Sequence, residues 1–122
     1  GGVCLSYPGK CRIIAGQYRG RKVPVLEAAA LRPTPERVRE TLFNWLQTSI
    51  QGAKCLDLFA GSGVLGLEAL SRGARWVTWV EQNPSVCQNI LSLCQDWGIS
   101  QTQYQLKVQC AIDWLSHTHE PY

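Results

Sequence analysis

The segment Asp57-Leu58-Phe59-Ala60-Gly61-Ser62-Gly63 constrains this chain most, because it joins an apolar run, Lys54 to Phe59, to a stretch of helical character, Val64 to Leu70. A short apolar run broken only by Asp57 suits a strand buried on both faces of a parallel sheet. A glycine turn from such a strand into a helix falls at the carboxyl end of the strand, where open α/β sheets bind ligands. Gly61 and Gly63 admit positive φ there and let the backbone approach a ligand closely, which a Cβ would prevent.

The alternation continues downstream. Trp76 to Glu81 reads as a second strand, and Pro84 opens a helix whose Val86, Ile90, Leu93, Cys94 and Trp97 share one face. Gln105 to Val108 reads as a third strand, and Ala111 to Ser116 as a short helix. Strands alternating with helices predict parallel β-α-β units with right-handed crossovers.

Upstream the pattern differs. Residues 1–11, with Pro8 and Gly9, read as an irregular extension. Arg12 to Gly16 and Arg21 to Val25 predict two short strands around Gln17-Tyr18-Arg19-Gly20, a basic hairpin. Before the next helix stand Arg32-Pro33-Thr34-Pro35, with Thr34 as N-cap, Pro35 at the first helical position and Glu36 in the first turn. Val38, Leu42, Trp45 and Leu46 form its apolar stripe to about Gln47, and Gly52 stops it. The chain thus divides into an extension over 1–11, a basic hairpin and helix over 12–50, and an α/β domain over 51–122.

With 122 residues, 45% of them hydrophobic, the chain holds one domain with a modest core. Every apolar run falls short of the roughly 20 residues that a bilayer span needs, and no secretory signal opens the sequence, so no membrane partner is expected. The six cysteines (Cys4, Cys11, Cys55, Cys87, Cys94, Cys110) show no C-x2-C pair and read as buried free thiols rather than a disulfide framework or a metal site. That fits a reducing, cytoplasmic setting. The chain contains no Met and starts at Gly1, as expected of a processed or trimmed product.

The net charge of +3 is unevenly spread. Residues 1–50 hold eight cations (Lys10, Arg12, Arg19, Arg21, Lys22, Arg32, Arg37, Arg39) against three acids, giving +5, while residues 51–122 hold four against six, giving −2. A basic segment on an acidic domain suits a polyanion, because Lys and Arg release condensed counterions when they neutralise phosphates. A solvated basic surface is the plain alternative.

Two cofactors compete for the glycine turn. Gly61-x-Gly63-x-x-Gly66 with Glu81 downstream fits the dinucleotide fingerprint. NAD, however, sets a pyrophosphate on the turn, where Asp57 is unwelcome. S-adenosyl-L-methionine carries an ammonium group and a cationic sulfonium and no phosphate, so Asp57 favours it. Glu81 at the end of the second strand can accept hydrogen bonds from both ribose hydroxyls of either cofactor. A glycine turn without any ligand is the remaining alternative.

Arg12-Ile-Ile-Ala-Gly-Gln-Tyr-Arg-Gly-Arg-Lys22, Leu31-Arg-Pro-Thr-Pro-Glu-Arg-Val-Arg-Glu-Thr-Leu-Phe-Asn-Trp-Leu46, Asp57 to Gly63 and Val80-Glu-Gln-Asn-Pro84 resemble the RsmD family of bacterial methyltransferases acting on 16S ribosomal RNA. The resemblance runs from Arg12 to the end. It implies a Rossmann-like methyltransferase fold with an N-terminal β-hairpin extension, of which 51–122 would be the first half, about three parallel strands. It further implies S-adenosyl-L-methionine as methyl donor and methylation of the exocyclic N2 amine of a guanine during assembly of the 30S ribosomal subunit.

Carried over residue by residue, the resemblance assigns Asp57, Phe59, Gly61 and Gly63 to the first cofactor motif, Glu81 to the ribose, and Gln82, with Asn83, to the adenosine side. Thr34 and Arg37 match the segment over the methionine end, with Asn44 nearby. Cys110 and Ala111 match the adenine contact, although Cys110 departs from the usual Asp or Asn. Arg19, Arg21, Lys22, Arg32 and Arg39 are the expected RNA contacts. Ordinary capping and ion pairing, such as Arg37 with Glu40 or Glu36 with Arg39, is the plain reading of the helix residues.

The family's catalytic tetrapeptide, Asp or Asn followed by Pro-Pro and an aromatic, does not occur in this sequence; Glu120-Pro121-Tyr122 lacks the second proline. The expectation is an N-terminal fragment whose catalytic residues lie beyond Tyr122, with no metal required. An inactive cofactor- or RNA-binding module, or a nucleic-acid methyltransferase with another target base, are the alternatives.

Overall fold

The computed structural model describes residues 10–24, 36–57 and 63–108. Two strands, β1 (Lys10–Arg12) and β2 (Lys22–Pro24), pair antiparallel with Cys11 opposite Val23. The hairpin is as expected, but its ladder begins two residues earlier, so Lys10 and Cys11 belong to it and not to an irregular extension. Residues 13–21 fold instead as a compact loop, closed by hydrogen bonds from the Ile13 amide to the Arg21 carbonyl (2.9 Å) and from the Gly20 amide to the Ile13 carbonyl (2.8 Å).

Helix α1 (Glu36–Leu46) forms over the predicted span, but it is turned. Its buried residues are Arg39 and Phe43, one helical turn apart, whereas Val38, Leu42 and Trp45 face outward, Trp45 with 80% of its surface exposed. The apolar spacing is real; the face chosen for burial is the one whose arginine has a carboxylate partner inside, as described below. The capping expected at Thr34 and Pro35 lies outside the described residues.

Three strands, β3 (Lys54–Asp57), β4 (Trp76–Glu81) and β5 (Tyr104–Val108), form a parallel sheet in the order β3-β4-β5. Helices α2 (Val64–Ser71) and α3 (Pro84–Asp96) are the crossovers, as the alternation predicts. Asn83 caps α3, its side-chain oxygen accepting from the Ser85 and Val86 amides, with Pro84 in the first turn. Val86, Ile90, Leu93 and Cys94 of α3 are buried and Trp97 half-buried, so the predicted face packs as read.

Helix α2 is buried at nearly every position, because the sheet covers one side and the hairpin loop the other. Trp79 is completely buried at the centre of the core with Leu67, Val77 and Ile90 around it. No described helix is long and apolar enough to cross a membrane. The helix predicted over Ala111 to Ser116 lies outside the described residues.

Among the described residues, cysteine chemistry departs from expectation at one position. Cys55, Cys87 and Cys94 are free thiols, but Cys11, fully buried in the hairpin, is disulfide-bonded. Sequence spacing cannot reveal such a bond, since what decides it is how close folding brings two Cβ atoms.

Candidate functional site

The site is assembled at the carboxyl ends of the parallel strands. Asp57 ends β3 and lies opposite Trp79 of β4; Glu81, two residues further, ends β4 opposite Val108. Side chains alternate along a strand, so Asp57 and Glu81 stand on the same face of adjoining strands, which run about 4.8 Å apart. The turn after Glu81 fixes that carboxylate: one oxygen accepts from the Asn83 amide at 2.8 Å. Gln82 is exposed between them, while the Asn83 side-chain oxygen is committed to capping α3.

Gly63 caps the start of α2 at the same end of the sheet, with φ of 83°. A Cβ there would lie 2.6 Å from Cγ1 of Ile90. Its need for glycine therefore arises inside the protein, from a left-handed turn and the approach of α3, as well as from any ligand. Gly66 takes the part of the fingerprint's third glycine: a Cβ would sit 2.5 Å from Cε2 of Trp79, so α2 can lie directly on β4.

Asp57, Gly63, Glu81 and Gln82 are thus gathered where β3 and β4 end and α2 and α3 begin. Arg37 is exposed and lines a surface cavity of about 370 Å³ with Val38, Thr41, Leu42 and Trp45, a cavity to which neither acid contributes. Glu36 pairs with Arg12 at 2.9 Å rather than with Arg39. Thr34, Phe59, Gly61, Cys110, Ala111 and Arg32 lie outside the described residues.

The basic hairpin occupies the other end of the helices. Arg19, Arg21 and Lys22 are exposed. The Arg21 guanidinium lies 5.9 Å from the Tyr18 ring and 5.8 Å from that of Trp97, which closes α3. The Gln17 amide bonds the Ser71 carbonyl, the last residue of α2, at 2.8 Å. Since Gly63 caps α2 and the helix rises about 1.5 Å per residue, Gly63 and the loop's anchor at Ser71 lie roughly 12 Å apart along it.

Arg39 corrects the list of RNA contacts. It has no exposed surface, and its Nη1 bonds the Arg12 carbonyl at 3.0 Å and Glu68 at 3.3 Å. Burial pulls its pKa down and Glu68 opposes that. A sealed guanidinium held by an internal carboxylate does not meet a phosphate. Sequence reasoning missed both Glu68 and Ser71; the available signal was one carboxylate inside the otherwise apolar run Val64 to Leu70.

A family model described as conserved hypothetical protein 95 matches residues 11–121. Ribosomal RNA small subunit methyltransferase D of Haemophilus influenzae is 50% identical over 107 residues, covering 88% of this chain and 55% of the relative. Its Escherichia coli K12 counterpart is 59% identical over 86 residues, covering 70% of this chain and 43% of the relative. The chain spans about half the length of these curated relatives. The solved Escherichia coli protein yhhF, described as a candidate methyltransferase, superposes with a TM-score of 0.79 at 44% identity, covering 88% of this chain and 57% of that one. A family match over nearly every residue, on a fold that superposes with a solved relative, means that this chain belongs to the conserved hypothetical protein 95 family, the RsmD family.

Proposed function

We propose that the complete protein containing this chain transfers a methyl group from S-adenosyl-L-methionine to the exocyclic N2 amine of a guanine in 16S rRNA, in the cytoplasm, during 30S subunit assembly. The observation that carries the cofactor is the pair of carboxylates, Asp57 and Glu81, on one face at adjoining strand ends. Asp57 there repels a pyrophosphate and suits an ammonium group, while Glu81 suits the pair of ribose hydroxyls. The names of the relatives, ribosomal RNA small subunit methyltransferases, support the reaction and the class of substrate.

When bound, the cofactor supplies an electrophilic methyl group. Asp57 faces its cationic methionine end, and Glu81, already oriented by the Asn83 amide, accepts from the ribose hydroxyls. Phe59, Gly61, Thr34, Arg37, Gln82, Cys110 and Ala111 complete the proposed contacts. Arg19, Arg21 and Lys22 neutralise RNA phosphates at the hairpin, and Arg32 is a further proposed RNA contact. The sequence holds no Asp/Asn-Pro-Pro-aromatic tetrapeptide, so the part proposed for these residues is binding and orientation.

Methyl transfer from labelled S-adenosyl-L-methionine to 30S subunits, with the modified base identified by mass spectrometry, tests the proposal. A label at guanine N2 is expected. Label at another base would overturn the target, and tight binding of NAD in place of S-adenosyl-L-methionine would overturn the cofactor.

A further inference from the structure

Glu68 has no exposed surface and sits in a helix that is otherwise apolar or small at its buried positions. A buried carboxylate persists only when paired and hydrogen-bonded. Here both oxygens are held by three separate segments. From the hairpin loop, the Ile14 amide donates to Oε1 at 2.9 Å and the Ala15 amide to Oε2 at 3.1 Å. From α1, Arg39 reaches Oε1 at 3.3 Å while also binding the Arg12 carbonyl. From the end of α2, Arg72 Nε donates to Oε2 at 2.9 Å.

The next turn of α2 repeats the attachment. Ser71 Oγ donates to the Ala15 carbonyl at 2.6 Å and accepts from the Tyr18 amide at 2.9 Å. Gly16, with φ of 91°, packs so tightly that a Cβ would collide with the Ser71 backbone. The loop carrying Arg19 is thereby hydrogen-bonded to the helix that starts at Gly63, and α1 is pinned to both.

We infer that Glu68 is a positioning residue that couples the two ends of α2: RNA docking on the hairpin cations stiffens the helix that Gly63 caps, and cofactor binding beside Gly63 stiffens the hairpin loop in turn. The inference rests on the function proposed above. Coupling between two sites is reciprocal, so each ligand must tighten the other by the same factor.

The test uses the full-length protein and Glu68→Gln, which keeps the shape but sets an amide donor against backbone N–H donors and leaves Arg39 and Arg72 without their counter-charge. Two quantities are measured: hydrogen exchange at the Ile14 and Ala15 amides, and S-adenosyl-L-methionine affinity by calorimetry with and without a saturating 16S rRNA fragment. In the parent protein RNA should tighten the cofactor at least about fivefold. In Glu68→Gln the two amides should exchange faster and the tightening should fall below about twofold, while cofactor affinity without RNA stays nearly unchanged. A merely structural role lowers stability and leaves the coupling factor alone. Unaltered exchange, or coupling equal to the parent's, overturns the inference. If Glu68→Gln does not fold, Ser71→Ala carries the same test at the neighbouring bonds, with exchange read at the Tyr18 amide, which donates to Ser71 Oγ: faster exchange with reduced coupling supports the inference, and parent-like values overturn it. A parent protein that binds both ligands without coupling sinks this inference and spares the proposed function; one that binds neither sinks the function, while exchange at Ile14 and Ala15 still judges the anchoring by Glu68.

Discussion

Gly66 of α2 rests directly on Trp79 of β4, so close that a Cβ at position 66 would stand 2.5 Å from Cε2 and 2.8 Å from Cζ2 of the indole. Trp79 is completely buried and has no room to retreat. Gly66→Ala should therefore destabilise the fold by about 1–3 kcal/mol through overpacking, despite the better helix propensity of alanine. Urea unfolding measures this, and a more stable Gly66→Ala variant would show that α2 can shift freely on the sheet.

Glu81→Ala removes a carboxylate that the Asn83 amide holds at the end of β4. Hydrogen bonds to charged groups contribute roughly 1.5–3 kcal/mol each, so losing an acceptor for two hydroxyls should weaken S-adenosyl-L-methionine at least about tenfold in the full-length protein. Calorimetry reads the change, and unchanged affinity would remove Glu81 from the site.

Arg19, Arg21 and Lys22 are exposed and lie away from the two carboxylates. Neutralising all three should weaken RNA binding and flatten its salt dependence by up to about 0.7–0.9 log units per lost contact. Cofactor affinity without RNA should stay the same. Arg39→Gln is the contrasting variant: its guanidinium is sealed against Glu68, so it should cost stability and leave the salt slope as it was.

How much of this was legible in the sequence depended on how local the signal is. The strand from Trp76 to Glu81 and the helix opened by Pro84 are written in neighbouring residues, and they form as read. The hairpin was visible from its glycines, but its register was not, because the Ile14, Ala15, Gln17 and Tyr18 amides bond Glu68 and Ser71, more than fifty residues away. The same contact turned α1: periodicity offered Val38, Leu42 and Trp45 as the inner face, and a single ion pair from Arg39 to Glu68 placed Arg39 and Phe43 there instead. The placement of Asp57 and Glu81 at strand ends was legible because each closes a local apolar run, and the ends of parallel strands are where open α/β sheets admit ligands.

Thiol reactivity should follow burial. The thiolate is the reactive form, and burial pushes the Cys94 pKa up to about 12. Cys55 and Cys87 are raised as well, by burial foremost and at Cys87 also by Glu81. In native protein at pH 8, Cys55, the half-buried one, should be alkylated before Cys87, and Cys94 should react only on unfolding. Mass spectrometry after timed labelling gives the order; early modification of Cys94 would mean that α3 opens readily.

Glu36 links α1 to β1 through Arg12, whose Nη2 lies 2.9 Å from Oε1. That hydrogen bond, foremost, holds the Glu36 carboxyl below its ordinary value, with burial opposing and the charges of Arg12 and Arg39 assisting. A carboxyl that is more acidic folded than unfolded contributes stability at every pH above its unfolded value, and loses it as pH falls through the folded one. The pair is largely open to water on the Arg12 side, so its contribution is modest and screened by salt. Glu36→Gln should therefore be less stable than the parent at pH 7 and equal to it in strong acid, with the gap closing below the ordinary carboxylate range. Arg12→Gln should show the same profile, because either change removes the same ion pair. Urea unfolding of both variants between pH 2 and 7 checks this, and a gap that persists undiminished into acid would mean that Glu36 acts through packing rather than through its charge.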